Sequence, residues 1–331
     1  MSMASTAIKA VIFLIFLFIA VPITVTYWAY SQHQAPLENA ETFLLVESGM
    51  SFPQIEAQLE EANLLSSKLL FDMAARVKSV DKTLKAGEYQ IPANTSQADI
   101  LEILSKGQTY KRYFTAIEGE SVYQTVKKLI ENNYLVGNLE KLPAEGALLP
   151  ETYQYERGES RQAVLNRMRG DMQQTLDQLW VMRAPDLPIK TKDDAVILAS
   201  VVEKETGLAA ERPQVAAVFV NRLKKGMKLQ ADATTVYCFT KGRGALGRRL
   251  LKKDLETDCG YNTYAKYGLP VAPIANPSKE SLAAVLSPPN TPYLYFVADG
   301  TGGHVFAETL DEHTRNVAKW RKIRREMEKN N

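Results

Sequence analysis

The sequence predicts an α+β protein in three parts: an N-terminal transmembrane helix, a small α+β subdomain and a larger α+β domain. Three observations lead there. An apolar run opens the chain, strand-like and helix-like stretches then alternate without a βαβ series, and one strand-turn-helix pattern recurs after seventy residues. The 331 residues suit about two domains and a sizeable core. Forty Lys and Arg against 38 Asp and Glu leave a charge of +2, and 24 % charged with 45 % hydrophobic residues is ordinary globular composition. Neither a nucleic-acid partner nor a disordered tail fits it.

Residues 1–9 carry one charge, Lys9, and precede AVIFLIFLFIAVPITVTYWAY, residues 10–30, an apolar run long enough for a hydrocarbon core of about 30 Å. Trp28 and Tyr30 form an aromatic belt at its far end, and no small-residue cleavage site follows, so the run is expected to stay as an anchor. Lys9 before it and Glu38 and Glu41 after it put the N-terminus in the cytoplasm and the body outside. Residues 31–41 form a polar linker. The subdomain, 42–108, opens with a strand and a helix capped by Ser51. A second helix spans about Ser67 to Arg76, a strand follows at 86–92, and a third helix starts at Ser96 and stops at Gly107.

The larger domain, 109–331, begins by repeating that opening, with Gly119, Ser121, Leu129 and Asn133 in the places of Gly49, Ser51, Leu59 and Asn63. Two copies are too few for a solenoid. Residues 142–158 are rich in turn formers and read as a boundary loop, and a helical period returns from Ser160 to Trp180. Cys238 and Cys259, twenty-one positions apart, could close a disulfide in an oxidising compartment or remain two thiols.

Candidate chemistry is narrowed by what is scarce. Two cysteines and three histidines, His33, His304 and His313, cannot build a zinc site at the usual spacings, and no Gly-x-Ser-x-Gly elbow is present. Carboxylates remain, with no metal and no cofactor expected. TKDDAVILASVVEKETG, residues 191–207, predicts a buried helix that opens with a Thr191/Asp194 capping box and stops at Gly207. Its last turn carries Glu203 and Glu205. At about 100° per residue they point roughly 200° apart, so they cannot serve one substrate as a carboxylate pair, and periodicity does not choose between them. Whichever lines a cleft, burial and the negative end of the helix dipole would raise its pKa towards that of a general acid.

Two resemblances add to these readings. The subdomain at 42–108 resembles a LysM module, which implies contact with cell-wall glycan. The strings ASVVEKETG, ERPQVAAVFVNRL, MKLQADATTVY, YNTY, GLPVAPIANP and PYLYFVADGTGGHVF resemble the endolytic murein transglycosylases, the MltG or YceG-like family, over nearly the whole chain. The resemblance implies a bacterial inner-membrane enzyme that cuts the MurNAc–GlcNAc β-1,4 bond within nascent peptidoglycan and leaves 1,6-anhydroMurNAc ends. In that family the second glutamate of Glu-Lys-Glu-Thr is catalytic, which carries over to Glu205. Gln230, Asp232 and Thr234 match polar positions of the family's motif, and Glu151 and Tyr153 lie in its Pro-acid-Thr-Tyr stretch. Asn262 and Tyr264 offer the amide and aromatic groups that sugars favour. Implied partners are glycan strands, the membrane and the peptidoglycan synthesis machinery, including penicillin-binding proteins. The sequence departs from the family at GLPVAP, residues 268–273, where Gly-Leu-Pro-Pro-Gly-Pro is usual.

A different class of function, a membrane-anchored wall-binding scaffold, would share the anchor and the LysM-like part. A hydrolase would need a held water and an extra carboxylate near Glu205. Gly242-x-Gly244-x-x-Gly247, between a strand-like TTVYCF and a helix-like RRLLKKDLE, spells a dinucleotide fingerprint but lacks the acidic residue on a second strand. The nearby Arg243, Arg248, Arg249, Lys252 and Lys253 read as a solvated basic face.

Overall fold

The computed structural model describes residues 3–80 and 84–330. Helix α1 (Met3–Gln34) contains the apolar run, with Pro22 inside it. Its Ile8–Gln34 stretch contains an 18-residue window of mean hydropathy 2.7, no residue of which is buried, so it is long and apolar enough to cross a membrane.

The chain divides into two compact units, the first ending at Arg112 and the second starting at Tyr113. In the first, β1 (Thr42–Val46) is followed by α2 (Phe52–Glu61), α3 (Lys68–Val77), β2 (Gly87–Ile91) and α4 (Gln97–Lys106). β1 and β2 pair antiparallel, from Thr42 against Ile91 to Val46 against Gly87. Alternation turns Leu44 and Val46 inward, onto Ile55, Leu59, Phe71 and Leu101 from the three helices. Ser96 caps α4 as expected, Ser67 caps α3 where that helix was expected to start, and Gly107 ends α4 in the left-handed conformation at φ 59°. The expected linker is tied down: Leu37 N donates to Thr95 O at 3.2 Å, and the Asn39 amide bonds Pro92 O and Thr95 N. Composition missed this because a single asparagine satisfies backbone groups that are distant in sequence.

The seventy-residue recurrence is structural. β3 (Arg112–Thr115) and α5 (Val122–Glu131) stand in the places of β1 and α2, with capping boxes at Ser51 and Ser121 and left-handed Gly49 and Gly119 in the turns. β3 pairs with β4 (Thr152–Tyr155). The stretch before β4 is part of the core and no boundary, because Leu148 and Leu149 are buried although the segment is rich in turn formers. Gly146 explains part of the turn signal: at φ +78°, a Cβ there would come within 2.9 Å of Pro273 and Val196.

The second unit then builds around α7 (Lys192–Glu205). It follows α6 (Arg161–Val181), and α8 (Arg212–Lys224) and α11 (Lys279–Leu286) pack on it. Ala195, Leu198, Ala199, Val201 and Val202 are fully buried, so its apolar middle fills the centre. The predicted Thr191/Asp194 capping box is present. The stop differs, since the chain leaves α7 through an extended Thr206 (φ −136°, ψ 130°) and Gly207 is not left-handed.

Two other local expectations are corrected. TTVYCF is not a strand: it lies in α9 (Asp232–Thr240), where Thr234, Thr235 and Cys238 share a buried face at helical spacing. Packing of that face overrides the β-branched propensity. RRLLKKDLE is helical only over α10 (Lys252–Leu255). The hairpin of β5 (Tyr295–Ala298) and β6 (His304–Ala307) precedes α12 (Leu310–Asn330).

Cys238 and Cys259 form a disulfide, with Cα atoms 6.0 Å apart. In the chain-entropy account, closing that loop stabilises the fold by about 3 kcal/mol. A denaturant melt with reductant should therefore lose about that much against one without, and coincident melts would contradict it.

Candidate active site

The last turn of α7 sends its two carboxylates into different surroundings. Glu203 is 8 % exposed; its Oε1 accepts from Arg212 Nη2 at 3.0 Å, and its Oε2 accepts from Ser278 N at 2.9 Å and from the Ser278 hydroxyl. It is fully engaged, and it fixes the start of α8 and the cap of α11 to α7. Glu205, on the opposite side, lines a cavity of about 470 Å³ together with Lys204, Ser121, Asp232, Tyr237 and the loop at Gly242.

The electrostatics of that cavity favour a neutral Glu205. Burial pushes its pKa up to about 7, and the nearby Asp232 charge adds to the shift; the Ala233 N–H and the Arg222 guanidinium pull the other way. Arg222 does not form an ion pair with it. Its guanidinium donates to Leu294 O at 2.6 Å and Leu229 O at 2.7 Å, and so reaches Glu205 only as a field. A carboxyl poised near neutrality can give up a proton and later take one back.

Asp232 is exposed in the first turn of α9, and its Oδ1 accepts from Tyr264 OH at 2.6 Å. Tyr264 thus orients Asp232, and burial, joined by the Asp232 acceptor and its charge, pushes its phenol up. Asp232 and Glu205 line one cavity, the pairing that helix periodicity could not supply.

The other expected residues fall elsewhere. Thr234 is buried, donating to Ala231 O at 2.6 Å and accepting from Thr263 N. Asn262 is buried too; its amide nitrogen bonds Leu255 O and Thr257 O, and its oxygen accepts from Thr235 and Tyr264 N. Both hold the loops beneath the site and present no open surface. Gln230 is exposed in a left-handed backbone (φ 53°), its N–H bonded to Thr263 O. Tyr153 is buried in a core cluster with its hydroxyl on Leu149 O at 2.8 Å. Glu151 is exposed and lines a separate cavity beside Glu118 and Arg212.

Sequence reasoning missed Glu145 and Tyr237. Tyr237 lines the Glu205 cavity, its ring centroid is 4.8 Å from that of Tyr261, and its hydroxyl donates to Glu145 Oε2 at 2.9 Å. Glu145 Oε1 accepts from Val122 N at 2.7 Å, and burial pushes its carboxyl up. The glycine-rich stretch did contain a signal. Its Gly242 and Gly244 wall the cavity, and the Ser121 hydroxyl donates to Gly242 O at 2.5 Å across a gap where a Cβ on Gly242 would clash with Ser121. Glycine is required there for close approach, not for a phosphate.

Comparison with known proteins agrees with the motifs. The YceG-like family model matches residues 44–319. The chain is 31% identical over 308 residues to a protein of Bacillus subtilis (strain 168) named endolytic murein transglycosylase, covering 83% of each. It is 28% identical over 322 residues to a protein of the same name from Streptococcus pneumoniae serotype 2 (strain D39 / NCTC 7466), covering 82% of this chain and 57% of that one. The 2.6 Å crystal structure of a yceG-like protein from Listeria monocytogenes is 26% identical, with a TM-score of 0.49, over 84% of this chain and 99% of that one. A family match across most of the chain, joined by a relative above 30% identity over most of both sequences, makes this chain a member of the YceG-like family.

Proposed function

We propose that this protein is a membrane-anchored endolytic lytic transglycosylase acting on peptidoglycan, with Glu205 as its single catalytic carboxyl. The observation that carries the reading is the Glu205 carboxyl in a cavity, its pKa raised to about 7, beside Asp232 and with Glu203 committed to other partners. The names of the relatives give the substrate class.

Protonated Glu205 donates to O4, the oxygen linking MurNAc C1 to GlcNAc C4, and the C1–O4 bond breaks. The MurNAc C6 hydroxyl then attacks C1 and loses its proton to the Glu205 carboxylate. The products are a free GlcNAc 4-hydroxyl and a 1,6-anhydroMurNAc end. The sugar supplies its own nucleophile, so no water is consumed and no second catalytic carboxylate is needed. Asp232 keeps Glu205 protonated before the bond breaks and offsets positive charge at C1 as it does.

The anchor α1 would hold the enzyme in the bacterial inner membrane, with the N-terminus cytoplasmic and the body periplasmic, beside newly made strands whose length it limits. Penicillin-binding proteins are the natural neighbours there. The LysM-like first unit would contact the same glycan. In its favour, Phe43 is 41% exposed, with Tyr110 edge-on at 4.9 Å and the Arg112 guanidinium 5.5 Å from the Phe43 ring centre.

The test is mass spectrometry of strands digested by the full chain in detergent. Internal fragments ending in 1,6-anhydroMurNAc are expected. Reducing ends would replace the reading with a hydrolase, and binding without cleavage with a scaffold. The rate on such strands should also fall as pH rises through about 7, because the acid must be protonated. Asp232→Asn removes the neighbouring charge and should move that limb to lower pH; an unmoved limb would remove Asp232 from this role.

A further inference from the structure

We propose that a second cavity, between α6 and α7, is a subsite for the peptide stem of the glycan, an inference that rests on the transglycosylase reading. The cavity holds about 670 Å³ and is roofed by the segments at 144–147 and 271–273. It adjoins the Glu205 cavity. Glu145 lines it and accepts the hydroxyl of Tyr237, which lines the other, while the consecutive Pro273 and Ile274 line one each. Ile197 and Glu205, one in each wall, sit about 12 Å apart along α7. A MurNAc held at Glu205 can therefore send the peptide on its lactyl ether into the second cavity.

The lining fits a peptide and not a sugar. No Trp, Tyr or Phe is among the lining residues, whereas sugar rings stack on aromatic faces, as the first cavity's Tyr237 allows. The floor is aliphatic instead, with Met172, Leu176 and Val196, and suits the methyl groups of a short peptide of small residues. Besides Glu145, which is held by Val122 N and Tyr237, its charged groups come from opposite walls, Arg169 on α6 and Asp193 on α7. Both are exposed, and neither has an ion-pair partner among the described residues. That pair complements a stem bearing a free carboxylate and an amine. Arg169 would take the carboxylate through its planar fork.

The experiment compares two probes on the full chain in detergent: strands with intact stems, and strands stripped of them by an amidase. The wild type should show a KM about tenfold lower for the stem-bearing strands. Two variants should bring the ratio of the two KM values close to one. Arg169→Ala removes the cation. Gly170→Leu places a side chain in the cavity from a helical position where a Cβ meets nothing within 4 Å, and it raises helix propensity, so the fold should tolerate it. A wild type indifferent to stems, a ratio unchanged in both variants, or KM raised equally for both probes would overturn the subsite; the last would put the sugar backbone there. Binding of both probes is measured in parallel. Stem-dependent binding without cleavage would keep the subsite and reject the transglycosylase.

Discussion

Glu205→Gln is expected to lower the rate of glycan cleavage by about 10²- to 10⁴-fold, the range supplied by a positioned general acid and base. The amide keeps the shape of the side chain and removes only the transferable proton. Binding of strands should survive, so the loss belongs in kcat and not in KM. The same variant has a signature in stability. The native pKa of about 7 lies above the ordinary value of 4.5, so the folded state holds a proton that the unfolded state has released between those pH values. Wild-type stability therefore falls as pH rises from 4.5 to 7 and is flat above, by about 3 kcal/mol in all. The variant lacks this titration. Against the wild type it should gain about that amount between pH 4.5 and pH 8, read as a difference in melting at the two pH values. An active Glu205→Gln, or a variant with the wild type's pH dependence of melting, would contradict the assignment.

Glu203→Ala should do the opposite. Breaking a buried, hydrogen-bonded ion pair by removing one partner costs about 3–5 kcal/mol, because the remaining charge loses its compensation. Here the remaining groups are Arg212, whose side chain is 7% exposed, and the Ser278 N–H at the cap of α11. Arg212 keeps Glu118 as a half-exposed partner, which places the expected loss near the lower end, about 3 kcal/mol. Denaturant melts measure it, and the surviving folded fraction should keep its activity per molecule within a few-fold. A Glu203 variant that melts normally but cannot cleave would exchange the roles of the two glutamates.

Much of the framework was legible locally. Ser67, Ser96, Ser121, Ser160 and Thr191 each cap the helix expected to start there, since capping is decided within four residues. The recurrence of Gly49 and Ser51 at Gly119 and Ser121 survived as matching turns and helices for the same reason. The misreadings came where distant partners decided. The β-branched TTVYCF becomes helical because its Thr face is buried against Asn262 and Thr263 from another loop. The turn-rich 142–158 stretch is partly core because Gly146 lets it close on Pro273 and Val196.

The site divides along the same line. The sequence by itself determined a long apolar first helix, a shortage of histidine and cysteine that leaves carboxylates as the candidate chemistry, and a buried helix ending in two glutamates about 200° apart. Only the tertiary structure decided which glutamate faces open space. Arg212 and Ser278 capture Glu203, while α9 brings Asp232 and the Ala233 N–H to Glu205. Helix periodicity is a property of neighbours in sequence, whereas a carboxyl's proton affinity depends on the charges, donors and lost water around it, and those come from segments far along the chain.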